Sequence, residues 1–327
     1  MSPTRDISLD IMKAIGILSI IVGHYGLLRG VVYSFHVPLF FIIGGYVFRQ
    51  KNVREELLTD TKRLIIPYLI TAFVIALWKS IFDWRGGYLS GIANNWKAAL
   101  LGCGLPQEMW LFGHCEQIGA IWFLLALFVC RIVYDVLDKY LSSWMLSIIC
   151  MAVSIGSVIF YNNVTPFPFD ILQGLSMLIF YDFGRNLKNY GGWSQLPLWG
   201  LIIGLFVWGA AIYWSYMEVV ICSYRYFMLD ILGAISATCI IGYVSQHIAR
   251  LPKIGINWLI WIGQSSLGLL CLHLIDLETN ILHKIQHFVI GTHYHNSVVH
   301  CLIVVVISCV VIYLYDCCKK KLNVKYE

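Results

Sequence analysis

Charge is what this chain has least of. Asp, Glu, Lys and Arg make up 13% of its 327 residues, against about a quarter in soluble globular domains. Hydrophobic residues make up 59% and the mean hydropathy is +0.74. Apolar runs of about 17 to 25 residues recur throughout, the length that crosses a bilayer as a helix. A soluble enzyme is excluded, and the fold class expected is all-α, a polytopic membrane protein. No polar stretch is long enough to stand apart, so residues 1–327 read as a single membrane domain. No repeat of fixed period is visible, which weighs against an inverted-repeat transporter. No A-x-A-like site follows the first apolar run, and Asp10 and Lys13 interrupt it, so it is expected to stay as the first span. The eleven cysteines include no C-x-x-C and lie mostly in apolar segments, where a free thiol packs as a small hydrophobe. Cys103, Cys115 and Cys222 fall in expected outer segments, where one disulfide among them is open. The net charge of +5 reflects inner-face loops, and no nucleic-acid partner is expected.

Hydropathy places about ten spans, near 8–28, 33–48, 64–82, 118–137, 142–160, 169–187, 196–214, 226–246, 257–275 and 297–316. With the N-terminus inside, 15 of the 23 basic residues fall in inner segments and six in outer segments or their margins. The positive-inside rule then gives N-in and C-in, in a plasma (inner) membrane.

The first span carries most of the information. Residues 5–24, RDISLDIMKAIGILSIIVGH, form an apolar helix that nevertheless holds Asp10, Lys13 and His24. An ionisable group near the centre of a span costs about 2.5 to 3.5 kcal/mol on insertion scales, so three together point to function. At about 100° per residue, the eleven-residue step from Lys13 to His24 returns to nearly the same face, about 16 Å along the axis. Lys13 then belongs to the cytosolic half and His24 to the outer half. Gly16 and Gly23 flank the stripe, where a backbone or a thin ligand could approach. The plainer account has Lys13 snorkelling to the headgroups with Asp10 as its i,i+3 partner; it does not reach His24.

His36 re-enters at the outer level of His24, so two imidazoles on adjacent helices could share a site; alternatively His36 is an interfacial residue. The loop from Arg49 to Arg63 is the most charged stretch. It orients the chain, or with Lys13 attracts an anionic ligand such as a nucleotide-bearing coenzyme. Residues 83–117, rich in Gly, Trp and Asn, are expected to be a long, partly re-entrant outer segment whose aromatics could stack on sugars. Its end supplies Glu116, a candidate carboxylate partner for a histidine. Arg131, Asp182, Arg185 and Asp230 are packing ion pairs or pocket residues. His273, with Asp276 close behind, ends a span at the outer face. The run GQSSLG preceding it lacks the spacing and the strand–turn–helix setting of a nucleophile elbow. His283, His287, His293 and His295 include an i,i+4 pair, but without Cys or carboxylates at ligand spacing no metal is expected. Asn163-Val-Thr165 matches a glycosylation sequon too near the membrane to use, and Cys317-Cys318-Lys-Lys-Lys reads as an inner stop signal.

Taken together, these residues resemble the acyltransferase-3 family of integral membrane acyltransferases, closest to its fucose-O-acetylase-like branch. The resemblance rests on the LD-x-x-K start of span 1 with the Lys13-x10-His24 spacing, and on FHVPLFFIIGGY from Phe35. It continues through R-L-x-x-P-Y from Arg63 to Tyr68, WFL from Trp122, and I-G-x-x-S-L with LH from Ile262 to His273. It departs from the family at Gly44-Gly45 and at Leu125. The resemblance implies a ten-helix core that moves an acyl group, usually acetyl from cytosolic acetyl-CoA, to a carbohydrate hydroxyl at the outer face. It further implies polysaccharide modification at the cell envelope. His24 matches the family's essential histidine, Lys13 its basic partner, and His36 the second motif histidine.

Such chemistry needs a base or nucleophile and donors for a developing oxyanion. The expected catalytic residues are His24 and His36, with Lys13 and Arg63 binding coenzyme and Asp10, Glu116 and His273 in support. A pantetheine arm along span 1 would suit the 16 Å spacing (about 1.5 Å per residue). The alternative from another class is a proton-coupled exporter of a glycan or small solute, using His24 and His36 as relays.

Overall fold

A computed structural model describes residues 5–50, 52–83, 89–164, 166–282, 284 and 297–324. The chain is all-α apart from two short hairpins. Helix α1 spans Ile7–His24, followed by α2 (Arg29–Tyr33), α3 (His36–Tyr46) and α4 (Val53–Asp60). A π-helical turn, Thr61–Ile65, joins α4 to α5 (Ile66–Asp83), and α6 is Leu89–Leu101. After a hairpin of β1 (Gln107–Met109) and β2 (Gly113–Cys115) come α7 (Trp122–Tyr140), α8 (Ser143–Asn163), α9 (Ile171–Ser176), α10 (Leu178–Asn189) and α11 (Leu198–Trp214). A second hairpin, β3 (Met217–Glu218) with β4 (Ser223–Tyr224), precedes α12 (Phe227–Ile248), α13 (Lys253–Gln264), α14 (Ser266–Thr279) and α15 (Ser297–Val324).

Each of the ten expected spans holds helix, yet among the described residues only five helices are long and apolar enough to cross a membrane unaided, or six if the bent pair α13–α14 counts as one span. The remaining stretches fall short for physical reasons. Helix α3 has 11 residues, about 16 Å at 1.5 Å per residue, and α7 carries Arg131, Asp135, Asp138 and Lys139. The span expected at 169–187 is broken at Met177 into α9 and α10.

Helix α1 lies at the centre, packed on α13, α12 and α3. Its glycines face protein: a Cβ on Gly16 would meet Leu39 and Phe40, and one on Gly23 would meet Val32 and Tyr33. The Gly44-Gly45 pair has a packing role. A side chain on Gly45 would strike the Tyr181 carbonyl of α10, and one on Gly184 would strike the Ile42 carbonyl of α3, so the two helices cross backbone to backbone. Gly263 sets α13 against the Asp10 backbone in the same way.

Two sequence expectations need correction. The loop 49–63 is not a solvated basic strap: α4, capped by the Asn52 side chain, buries Glu56 and Asp60. Both pair with Arg131 of α7, Asp60 at 2.6 Å, which identifies Arg131 as a packing ion pair. Within residues 83–117 stands a regular helix, α6, held to α5 by the Tyr68 hydroxyl donating to the Ala99 carbonyl at 2.7 Å. The Gly and Asn content suggested a loop, but Trp96, Ala98, Ala99 and Leu101 are apolar at helical spacing, and Ala98, Ala99 and Leu101 are buried.

Candidate active site

The N-terminal end of α1 is built around a carboxylate. Asp6 caps the helix by accepting from the Ser8 amide at 3.0 Å. Asp10, 2% exposed, accepts from Arg5 Nε and Nη2 at 2.6 and 3.0 Å and from Gln264 Nε2 at 3.3 Å. Lys13 Nζ lies 3.9 Å away. Asp10 is therefore first a partner of Arg5 and a tie to the α13 terminus, and only loosely the partner of Lys13. Lys13 keeps a third of its side chain exposed. Arg63, exposed on the π-helical turn, is near enough to act on Lys13 electrostatically. The two expected coenzyme-binding cations thus share one end of the molecule.

The C-terminal end of α1 delivers His24 to a cavity of about 220 Å³. His24 Nδ1 lies 2.9 Å from Nε2 of His273 on α14, and the rings stack with centroids 5.2 Å apart. His273 is fully buried, and its Nδ1 has no hydrogen bond among the described residues. Tyr25 packs edge-on to His273 and donates to Asp276 Oδ2 at 3.3 Å, where His300 of α15 also approaches at 3.7 Å. His36 opens α3, is buried, and sets its Nδ1 2.7 Å from the Val32 carbonyl. A carbonyl only accepts, so Nδ1 carries the proton, and in the neutral ring Nε2 keeps a lone pair. His24 and His36 line the same cavity, and the burial of His36 rules out the interfacial account.

Sequence reasoning missed most of the remaining cavity wall. Arg29 lies over the Tyr33 ring, 5.0 Å from its centroid, and its pKa is raised above the ordinary arginine value by Tyr33 and Tyr216, with Glu218 adding to it. Trp122, Gln117, Glu218 and Glu278 complete the polar and aromatic lining. Lys79 was legible as a lone cation at the end of an apolar helix, a position that asks for a partner; its partner is Glu278 at 2.6 Å. The cavity also reaches Ile20, one turn below His24 toward Lys13. Glu116 lies elsewhere, 42% exposed and 3.6 Å from His114 on the first hairpin.

Cys103, Cys115 and Cys222 are buried free thiols. Burial raises the Cys103 thiol pKa, and Cys115 beside it raises it further. Asp182 is satisfied by Tyr134, Ser147 and Asn186, Arg185 pairs with Asp138 at 2.7 Å, and Asp230 accepts from the Tyr226 amide where α12 begins. No group of three metal-ligating side chains occurs among the described residues. His283, His287, His293 and His295 lie outside the described residues, as does Thr165 of the sequon.

Comparisons with known proteins bear on the class of protein rather than on single residues. A family model described as an acyltransferase domain matches residues 6–317, nearly the whole chain. The chain belongs to the acyltransferase-3 family. The nodulation protein NolL of Mesorhizobium japonicum is 26% identical to it over 215 residues, which are 60% of this chain and 51% of that protein. The chain thus spans about half the length of this curated relative. No solved structure matches the chain. The family match supports an acyltransferase, and of the two classes left by the sequence it favours the enzyme over the exporter.

Proposed function

We propose that the chain is a single-domain O-acetyltransferase of the plasma membrane. In this reading it takes acetyl from cytosolic acetyl-CoA and places it on a carbohydrate hydroxyl at the outer face. Both termini lie inside, and the short and broken helices complete about ten crossings. The observation that carries this reading is His24 at the wall of a cavity, backed by the buried His273 of α14 and standing on the helix whose other end bears Lys13.

In the productive tautomer, His24 donates from Nδ1 to His273 Nε2 and so keeps a lone pair on its own Nε2. That nitrogen takes the proton of the acceptor hydroxyl as the oxygen attacks the thioester carbonyl. The imidazolium that forms returns its proton to the departing thiolate. His273 thus does for His24 what a carboxylate does in a hydrolase triad, fixing the ring and its tautomer without becoming the base itself. Arg29 is the cavity cation available to the developing oxyanion. His36, with Nδ1 committed to Val32, offers Nε2 as an acceptor and suits orienting the hydroxyl. Lys13 and Arg63 meet the coenzyme phosphates from the cytosolic side. The pantetheine arm follows the flank of α1 that is free of the side chains filling Gly16 and Gly23.

Radiolabelled acetyl-CoA supplied to membranes holding the protein tests this. Label is expected on a glycan, and His24→Ala is expected to remove it while the variant remains inserted and folded. Proton-dependent solute uptake with no labelled glycan would overturn the assignment.

A further inference from the structure

Glu278 stands five residues beyond His273 on α14 and lines the same cavity as His24. Its side chain is 7% exposed. Oε2 accepts from Lys79 Nζ at 2.6 Å and from Gln117 Nε2 at 3.3 Å, while Lys79 also donates to the Gln117 carbonyl at 2.9 Å. The carboxylate is held from two sides, on one oxygen. Oε1 accepts no hydrogen bond among the described residues and lies against Gly119, another cavity residue. With φ +77°, Gly119 is in the left-handed region, and a Cβ there would collide with Oε1. Glycine therefore keeps that oxygen uncovered.

A buried ion pair is often no more stable than an apolar pair of the same volume. One kept at a cavity wall, with an acceptor-only oxygen uncovered, calls for a ligand that donates. The rest of the wall narrows its class. Lys79 pairs with Glu278, and Glu218, the second cavity carboxylate, lies close enough to Arg29 to act on it electrostatically. An anionic sugar would bring an unmatched charge. An uncharged sugar offers hydroxyl protons to the carboxylates and a ring face to Tyr33 and Trp122.

We propose that Glu278 is the acceptor-binding carboxylate, accepting a hydrogen bond through Oε1 from a hydroxyl of an uncharged sugar while a neighbouring hydroxyl faces His24. This rests on the acetyltransferase reading and assigns the acceptor side of its site.

The probe is the host's membrane glycan, stripped of O-acetyl groups with mild base and offered to the protein with labelled acetyl-CoA. Glu278→Gln is expected to raise the KM for glycan about ten- to hundredfold, the loss of one charge-assisted hydrogen bond, and to leave the acetyl-CoA KM within about twofold. Glu278→Asp is expected to recover part of the loss. An unchanged glycan KM, or both KM values rising together as a mere α5–α14 staple would cause, overturns the assignment. Should Glu278→Gln fail to fold, the wild-type protein decides. Glycan whose primary hydroxyls have been oxidised to carboxylates is expected to be used at least about tenfold less efficiently, and equal use overturns the uncharged class. If the wild-type protein labels no glycan at all, the acetyltransferase reading itself falls, an outcome distinct from label with an unchanged KM.

Discussion

The two ends of the bundle, one around Asp10 and Arg131 and the other around His24, both bury ionisable groups, but they use them differently. At the first, buried charges among the described residues pair with one another: Asp10 with Arg5 and Gln264, Arg131 with Glu56 and Asp60, Arg185 with Asp138. At the second, His24, His36, Arg29, Glu218 and Glu278 line open space. Burial alone therefore does not mark a site in a chain of this kind. The packing groups face other protein groups, whereas the groups at the cavity wall keep a polar atom turned to open space.

Substitutions at the two ends should separate the classes. The largest effect expected on activity is from His24→Ala, a loss of about 10²- to 10⁴-fold in acetyl transfer, with little change in the melting temperature in detergent. A similar loss from a variant that no longer folds would erase the contrast. Arg131→Met should do the reverse. It leaves Glu56 and Asp60 buried without their cation, at a cost of about 3 to 5 kcal/mol, read as a much lower melting temperature and poor yield. His273→Ala should cost about 10- to 100-fold in kcat, because it removes the fixed tautomer and leaves the base. An unchanged kcat would return His273 to packing. The smallest effect belongs to Lys13→Ala: about a tenfold rise in acetyl-CoA KM at low salt, shrinking as ionic strength screens it. An unaltered KM would leave Lys13 a snorkelling residue.

Much of the outer site was legible from span 1 alone, because an apolar helix has few reasons to keep a histidine, and the eleven-residue spacing fixed its face and depth. His36 and His273 were legible for similar reasons, since each stands at the outer limit of an apolar run. What was not legible depended on contacts between distant segments. No pattern links Lys79 to Glu278, 199 residues apart, or Tyr25 to His300. Span counts from hydropathy and from helix length differ where composition and geometry part. Helix α3 is too short to count as a span yet seats His36, and α13–α14 reads as one apolar run but bends by 62°. The buried carboxylates of α4 were hidden because a charged loop and a docked amphipathic helix share a composition. Only Arg131, out of place within a span, hinted at a partner.

The bend between α13 and α14 has a consequence for how such proteins diversify. Before it, Gly263 clamps the backbone to Asp10; after it, α14 carries His273 and Glu278. The angle at Ser265 therefore sets at once how His273 meets His24 and how Glu278 meets the cavity. The joint divides this run into a handle held to α1 and an arm that carries the residues facing His24 and the cavity. A lineage could refit such an arm to a new acceptor by altering a few residues around one turn, without rebuilding the handle.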